Sequence, residues 1–201
     1  DFDFGASDKI TLSDGVNAVV GGVGADEITA GGGANTVLGD DGEAFFFPDG
    51  KVRAIRTVNS DHGGDDLISL EDGTNTVIAG AGSDILDLGG GTNYVLADEG
   101  VLEILTDGDG NETGTTEVKT LYGSVGGTDQ VNIRSGYNVV IGGAETDTIT
   151  VNGTVAEGQA TVVGDNGQMT FSNDGVLLSV ESTDFDFGAS DKITLSDGVN
   201  A

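Results

Sequence analysis

Residues 12–38 read LSDGVNAVVGGVGADEITAGGGANTVL and divide into three blocks of nine: LSDGVNAVV, GGVGADEIT and AGGGANTVL. In each block the fourth residue is Gly, the sixth is Asp or Asn and the eighth is aliphatic; in the middle block these are Gly24, Asp26 and Ile28. Glycine permits a tight turn. The residues after the Asp are typical of a short strand whose aliphatic side chain points inward. A chain built from such nonapeptides is expected to bury its core by stacking the repeats.

The composition restricts the partners of the chain. Of its 201 residues, 36 are Gly, 35 are acidic and 7 are Lys or Arg; Cys is absent and the formal net charge is −28. Phosphate repels so acidic a surface, so nucleic acid is not an expected partner. The carboxylates need neutralisation, and hard cations with oxygen ligands, calcium first, are the expected source. The sequence has no apolar run long enough to span a bilayer, and we expect no signal peptide at its N-terminus.

The chain repeats on two scales. Residues 184–201 are identical to residues 1–18, so the chain contains one period of 183 residues and the start of the next tandem copy. Each period holds three related units of five nonapeptide slots and a longer segment with a turn sequence such as PDG. The expected boundaries are 3–60 for unit one, 61–123 for unit two, 124–185 for unit three and 186–201 for the next copy.

Two kinds of slot alternate along each unit. Slots one and three carry Asp at position 6, slots two and four carry Asn except for Ala160, and slot five carries Ala44, Leu102 or Met169. Two slots make an 18-residue coil of two short strands, and adjacent coils pair in parallel. We therefore expect an all-β parallel β-roll or β-helix solenoid with Asp turns on one edge and Asn turns on the other. Slot five and the segment after it are expected to complete a third coil per unit, with three projecting β-hairpin-like insertions.

This pattern resembles the RTX family, the hemolysin-type calcium-binding repeats of secreted bacterial proteins. In that family, calcium lies between turns of adjacent coils, bound by the carboxylate at position 6 and by carbonyl oxygens of the Gly-rich turn. The resemblance implies several calcium ions per 183-residue period. The residues that it assigns as ligands are Asp8, Asp26, Asp66, Asp84, Asp129, Asp147 and Asp191, with the carbonyl groups of Gly22 and Gly24.

Other polar positions leave alternatives open. The Asn residues at position 6 are either weak calcium ligands or members of a side-chain hydrogen-bond ladder; they are Asn17, Asn35, Asn75, Asn93 and Asn138. Position 2 of slot five is Asp in every unit, and this residue either supplies a ligand or shapes the turn; the three are Asp40, Asp98 and Asp165. For the whole acidic set, the alternative to a metal site is a solvated acidic rim.

Two features concern packing and assembly. Position 9 of the even slots is apolar, at Val20, Leu38, Ile78, Leu96, Ile141 and Val163. Strand alternation points these side chains away from the core. Three alternatives follow: the enlarged segments cover them, a neighbouring filament covers them, or the turn rotates them inward. In the first insertion, Lys51, Arg53 and Arg56 either form local salt bridges or dock laterally on a neighbouring copy.

The sequence contains no nucleophile–base pair, phosphate-binding loop or His cluster, so we do not expect an enzyme. The tandem array predicts a calcium-stabilised structural repeat of a long extracellular or cell-surface bacterial filament, adhesin stalk, or matrix or sheath protein, whose partners are neighbouring copies of itself. The resemblance to a giant, repetitive secreted surface protein implies export by type I secretion. The alternatives are a calcium-dependent module that binds polysaccharide or ice, and a non-catalytic secretion and folding module of a secreted enzyme.

Overall fold

The computed structural model describes residues 5–60, 62–106, 112–153, 159–196 and 199–200. All the regular elements in these ranges are β-strands. In chain order they are β1 (Lys9–Leu12), β2 (Gly15–Val20), β3 (Glu27–Ala30), β4 (Gly33–Leu38), β5 (Gly42–Phe46), β6 (Val52–Thr57), β7 (Leu67–Leu70), β8 (Gly73–Ile78), β9 (Ile85–Leu88), β10 (Gly91–Leu96), β11 (Gly100–Thr106), β12 (Glu112–Thr120), β13 (Gln130–Ile133), β14 (Tyr137–Gly143), β15 (Thr148–Val151), β16 (Gln159–Asp165), β17 (Gly167–Ser172), β18 (Leu177–Ser182), β19 (Lys192–Leu195) and β20 (Val199–Asn200). No helix in this part of the chain is long and apolar enough to cross a membrane.

Two parallel sheets of seven strands form the main body of the protein. The first sheet has the order β1-β3-β7-β9-β13-β15-β19, and the second has the order β2-β4-β8-β10-β14-β16-β20. Equivalent positions of the nonapeptides pair: Ile10 lies opposite Ile28 in the first sheet, and Val37 lies opposite Val77 in the second. The prediction of an all-β fold with parallel, solenoid-like sheets is confirmed.

The main core lies between these two sheets. Position 8 supplies one row of inward side chains from each sheet, because side chains alternate along a strand; Ile28 and Val37 are both 0% exposed. The residue two places further along the first-sheet strands, such as Leu70 or Ile133, is buried in the same cluster. Burial of these rows is the main stabilising contribution of the two sheets.

A third sheet covers the outer face of the second sheet. It contains six antiparallel strands in the order β18-β17-β12-β11-β6-β5. Each unit contributes one hairpin: β5 pairs with β6, β11 with β12, and β17 with β18. The three hairpins then join edge to edge through β6–β11 and β12–β17.

Two expectations about these segments are wrong. Slot five does not continue the roll as part of a third coil, since its strand is the first strand of the hairpin. The hairpins also do not project, because they lie flat on the apolar stripe at position 9. Leu38, Ile78, Leu96 and Ile141 form one buried cluster with Ile55, Leu102, Val118, Met169 and Phe171. Of the three alternatives for this stripe, the structure therefore shows coverage by the enlarged segments, since exposing it to water would be costly.

Candidate metal site

The predicted aspartates form a continuous row immediately before the strands of the first sheet. Each backbone N–H in the row donates to Oδ1 of the Asp at the next strand. The hydrogen bonds run from Asp8 to Asp26 (2.6 Å), Asp26 to Asp66 (2.8 Å), Asp66 to Asp84 (2.7 Å), Asp84 to Asp129 (2.7 Å), Asp129 to Asp147 (2.9 Å) and Asp147 to Asp191 (3.0 Å). The structure thus brings together all seven predicted aspartates, and we call this row the Asp ladder.

The second carboxylate oxygen of the ladder has a different environment. In Asp26, Asp66, Asp84, Asp129 and Asp147, Oδ2 is buried and has no hydrogen-bond partner among the described residues. These five side chains are each at most 2% exposed. A buried carboxylate oxygen without a partner is costly unless a proton or a cation satisfies it.

Burial shifts the acidity of the ladder strongly. Loss of hydration raises the pKa of Asp66 to about 7, that of Asp147 to about 8 and that of Asp84 to about 10. Neighbouring carboxylates of the ladder add to each shift, because like charges disfavour ionisation. The ladder in its ionised form therefore requires positive charge close by.

Backbone carbonyl groups converge on the unpaired oxygens. A Cβ placed on Gly21 would lie 2.4 Å from Oδ2 of Asp26 and 2.1 Å from the carbonyl oxygen of Gly39. At Gly39 the corresponding distances are 2.1 Å to Oδ2 of Asp66 and 2.4 Å to the carbonyl oxygen of Ala79. A side chain at either glycine would therefore collide with a carboxylate and a carbonyl oxygen, so these two kinds of oxygen, which calcium prefers as ligands, lie close to the same point of the turn.

One carbonyl group beside the ladder was not among the predicted ligands, while the role predicted for Gly22 and Gly24 stays a prediction. Gly22 and Gly24 lie in the turn before Asp26 with φ of 98° and 123°, a backbone region that favours glycine. The carbonyl group that the structure places beside Oδ2 of Asp26 is that of Gly39, which the sequence reasoning missed. Position 1 of slots three and five is Gly or Ala in every unit, and that restriction to small residues is the signal that would have identified it.

The slot-five aspartates lie beside the ladder and bind backbone. Asp40 accepts the N–H of Gly64 through Oδ1 (3.1 Å) and that of Ala81 through Oδ2 (2.6 Å). Burial, with the charge of Asp66 as the next cause, raises the pKa of Asp40 to about 8. These contacts hold the turn before the first hairpin against the turns around Gly64 and Ala81, as the turn-shaping alternative expects, and a role of Asp40 as a ligand remains a prediction.

The other two units repeat this arrangement. Asp98 accepts hydrogen bonds from the backbone N–H groups of Gly127 and Ala144, and Asp165 accepts one from Ala189 (2.9 Å). Burial raises the pKa of Asp98 to about 10, and the neighbouring Asp129 is the second cause. Each slot-five Asp thus places further carboxylate oxygen next to the ladder, at the point where a hairpin leaves the parallel sheets.

The Asn edge forms the predicted hydrogen-bond ladder. Each side-chain Nδ2 donates to Oδ1 of the next Asn: Asn17 to Asn35 (2.8 Å), Asn35 to Asn75 (2.9 Å), Asn75 to Asn93 (2.8 Å) and Asn93 to Asn138 (2.8 Å). The other hydrogen of each Nδ2 group is donated to a backbone carbonyl oxygen, as from Asn75 to Glu71 (3.1 Å). The amides satisfy one another on this edge, so it needs no cation for its hydrogen bonding.

Side chains alone do not make a complete metal site. Among the described residues, no three His, Cys, Asp or Glu side chains form a group that could hold a metal ion. Calcium takes six to eight oxygen ligands, which include backbone carbonyl groups. A cation at the Asp ladder would therefore depend on the carbonyl oxygens of the glycine turns as well as on the carboxylates.

The basic residues of the first hairpin have local partners. Arg56 pairs with Glu43 (2.6 Å), and Lys51 pairs with Asp49 (3.1 Å). The guanidinium groups of Arg53 and Arg56 lie 5.3 and 5.6 Å from the ring centre of Phe45. The alternative of local salt bridges is therefore observed for Lys51 and Arg56, with partners in the hairpin itself; lateral docking remains a prediction.

Comparison with known proteins gives no relative for this chain. No family model matches it. No curated protein and no solved structure matches it either.

Proposed function

We propose that this chain is a calcium-stabilised structural repeat of a long extracellular or cell-surface bacterial filament, adhesin stalk, or matrix or sheath protein. The observation that supports calcium is the set of five ladder aspartates whose Oδ2 atoms are buried without a hydrogen-bond partner. Calcium would supply the positive charge that these carboxylates need, with carbonyl oxygens such as that of Gly39 completing the coordination.

The repeating unit that we propose is an 18-residue coil of two nonapeptides. Pairing of Ile10 with Ile28 and of Asn75 with Asn93, 18 residues apart, supports it. Where a hairpin intervenes, ladder partners are 40 to 45 residues apart, as for Asp26 with Asp66 and Asp84 with Asp129. This arrangement is the basis of the proposed membership in the RTX family of calcium-binding repeats.

The mechanical function that we propose is to span distance, and it depends on the length of the array. Identity between residues 184–201 and 1–18 indicates tandem copies, and stacked repeats of this kind form a rod. We assign no catalytic step to the chain, because its buried carboxylates form a repeating row rather than one distinct cluster.

Calcium binding would also couple folding to export. A ligand that binds the folded state alone stabilises it according to ligand concentration. At low cytosolic calcium the acidic chain would remain unfolded, which suits type I secretion, and it would fold on reaching the outside of the cell.

Circular dichroism in the far ultraviolet tests this proposal. The calcium-free chain is titrated with calcium and then treated with excess EGTA, with magnesium as the control cation, since magnesium is smaller and dehydrates reluctantly. We expect a cooperative transition to β-structure with calcium, its reversal by EGTA and little effect of magnesium. A β spectrum that is indifferent to EGTA would overturn the proposal.

A further inference from the structure

The two parallel sheets continue into the next tandem copy. Strand β19 has the same sequence as β1, since residues 184–201 repeat residues 1–18. It pairs in parallel with β15, with Thr194 opposite Thr150, and β20 pairs in parallel with β16. Within the residues that the structure describes, one 183-residue period therefore contributes six strands to each parallel sheet before the next copy begins.

The third sheet has the same number of strands per period. Its three hairpins supply six strands, and it ends at β18 on one side and at β5 on the other. Strands in a sheet are spaced about 4.8 Å apart whether parallel or antiparallel, so all three sheets advance by about 29 Å per period. Strand β5 of the next copy therefore lies next to the free edge of β18.

We propose that β18 pairs antiparallel with β5 of the following copy, so that the third sheet runs unbroken along the whole array. This inference rests on the tandem array of the proposed function but not on calcium. It makes each copy boundary equivalent to the boundaries between hairpins inside one copy, and it identifies the partner of both free edges as a neighbouring copy of the same chain.

The register of this junction follows from the two junctions inside the copy. Ile55 lies opposite Ala44 of its own hairpin and opposite Leu102 of the next one. Val118 lies in the same way between Leu102 and Met169. Val180 is the third member of this series and lies opposite Met169. Its free side therefore faces Ala44 of the following copy.

A hydroxyl group marks the same position at each junction. Thr57 Oγ1 accepts the N–H of Gly100 (3.1 Å), and Thr120 Oγ1 accepts the N–H of Gly167 (3.1 Å). The residue at this place in the third hairpin is Ser182, opposite Gly167. Its exposed hydroxyl would accept the N–H of the following copy's Gly42, which is the equivalent of Gly100 and Gly167.

In the cluster between the second and third sheets, apolar side chains become exposed at the two ends. Ile55 and Val118 are 0% exposed, whereas Val180, in the same place of the last hairpin, is 47% exposed. At the other end Val20 is 45% exposed, although Leu38 in the next strand of that row is buried. At the proposed junction, the end of one copy that exposes Val180 would meet the end of the following copy that exposes Val20, and both side chains would be covered.

One pair on the solvent side opposes the junction. The same register places Glu181 opposite Glu43 of the following copy, since Glu181 lies opposite Gln168 and Glu43 lies opposite Arg56. Like charges directly opposite each other are unfavourable. Arg56 already pairs with Glu43 at 2.6 Å, which offsets this repulsion.

Disulfide trapping in a chain of two consecutive periods tests the junction. Val180→Cys in the first period is combined with Ala44→Cys in the second; the protein has no other Cys. We expect a disulfide within one chain under mild oxidation, because opposite residues in antiparallel strands approach closely. Ile55 and Leu102 are observed opposite each other, so the variant with Ile55→Cys and Leu102→Cys gives the rate of disulfide formation at a known junction. The variant with Glu181→Cys and Ala44→Cys is the negative control, because these two side chains lie on opposite faces of the sheet.

The outcomes separate this inference from the proposed function. Bond formation at least about tenfold faster than in the wrong-face control supports the continuous sheet, and equal rates or no bond in a chain with β-structure overturn it. Failure of calcium to change the circular dichroism overturns the calcium proposal and leaves the trapping result valid.

A second measurement covers a Cys variant that fails to fold. Val180→Asp should lower the denaturation midpoint of the two-period chain, where it lies at a junction, by clearly more than that of the 201-residue chain, where Val180 is already 47% exposed. Equal effects in both chains would also overturn the junction.

Discussion

The backbone amide of Asp26 donates a buried hydrogen bond of 2.8 Å to Oδ1 of Asp66, whose Oδ2 has no hydrogen-bond partner among the described residues. The first oxygen is thus held by the neighbouring strand, which fixes the orientation of the carboxylate. The second lies near the carbonyl oxygen of Ala79, since both would contact a Cβ placed on Gly39, and that carbonyl oxygen accepts the N–H of Asp40 (3.2 Å). Oδ2 is thus a buried acceptor beside another acceptor, and it needs a donor or a cation of its own.

Asp66→Asn tests what occupies this space. The amide retains an oxygen for the N–H of Asp26 and presents Nδ2 as a donor toward Ala79, so the calcium-free protein should become more stable. Loss of one carboxylate ligand should raise the calcium concentration at the folding midpoint by roughly tenfold or more. Circular dichroism during calcium titration measures both effects.

Asp65→Asn is the matched control for that change. Asp65 is exposed and adjacent, and its Oδ1 accepts the N–H of Ser83, which an Asn can also accept. It removes the same charge without altering the ladder. If the two variants shift the calcium midpoint equally, the ladder carboxylate is not a ligand and only net charge matters.

Without calcium, the fold should be more stable in mild acid. Burial raises the pKa of Asp84 to about 10 and that of Asp147 to about 8 in the folded state, against 3.8 for the ordinary group. From about pH 4 upward the unfolded chain loses these protons while the folded chain keeps them, so their stabilising contribution is lost as the pH rises toward 8 to 10. Below pH 4 both states are protonated and the contribution is complete.

Urea denaturation at pH 5 and pH 8 measures this dependence, after removal of calcium with a chelating resin. Because the calcium-free chain is expected to be largely unfolded near neutral pH, we expect a urea transition at pH 5 and a much lower midpoint, or none, at pH 8, and we expect Asp84→Asn to reduce the difference. Saturating calcium should diminish it as well, because calcium favours the ionised carboxylates. A midpoint that rises with pH in the calcium-free protein would contradict the assignment of buried, protonated aspartates.

The parallel sheets were predictable because their rule is local. A nine-residue spacing places Ile28 and Val37 at the same point of successive slots, and stacking then puts each row into one core. The third sheet was not predictable from this rule, because slot five keeps the same nine-residue spacing and the same Gly at position 4. Its difference lies at position 6, where Leu102 and Met169 replace a polar turn residue and are buried against the second sheet.

The aspartate row was predictable for the same reason, whereas its surroundings were not. Asp26 and Asp66 occupy equivalent slots, so their alignment follows from the repeat. The approach of the Gly39 carbonyl group to Asp26 depends on how two neighbouring turns stack. That contact joins residues on either side of the point where the first hairpin departs, and slot spacing alone does not define it.

Asn75 should stabilise the fold independently of calcium. Its amide accepts from Asn35 (2.9 Å) and donates to Asn93 (2.8 Å) and Glu71 (3.1 Å), and the residue is 0% exposed. Asn75→Ala leaves buried polar groups without partners on both sides, at a cost of about 3 kcal/mol. Urea denaturation in saturating calcium, and at pH 5 without calcium, should show a similar loss, because these are the two conditions in which we expect the chain to fold.

Asn132→Ala is the control for the amide ladder. Asn132 donates to Asp87 (2.9 Å) at the exposed side of the first sheet, so its removal should cost under about 0.5 kcal/mol. An Asn75→Ala effect that appears only with calcium present would show that the Asn edge binds the metal after all.

The hairpins should contribute to stability as part of the core. Ile55 is 0% exposed between the second and third sheets, whereas Leu178, a side chain of the same size in the same sheet, is 59% exposed. Ile55→Ala should cost about 2–5 kcal/mol, because it leaves a cavity, and Leu178→Ala should change stability by under about 0.5 kcal/mol. Hairpins that projected freely would give equal, small effects in urea denaturation, so a large difference between the two variants shows that the third sheet covers the second in solution.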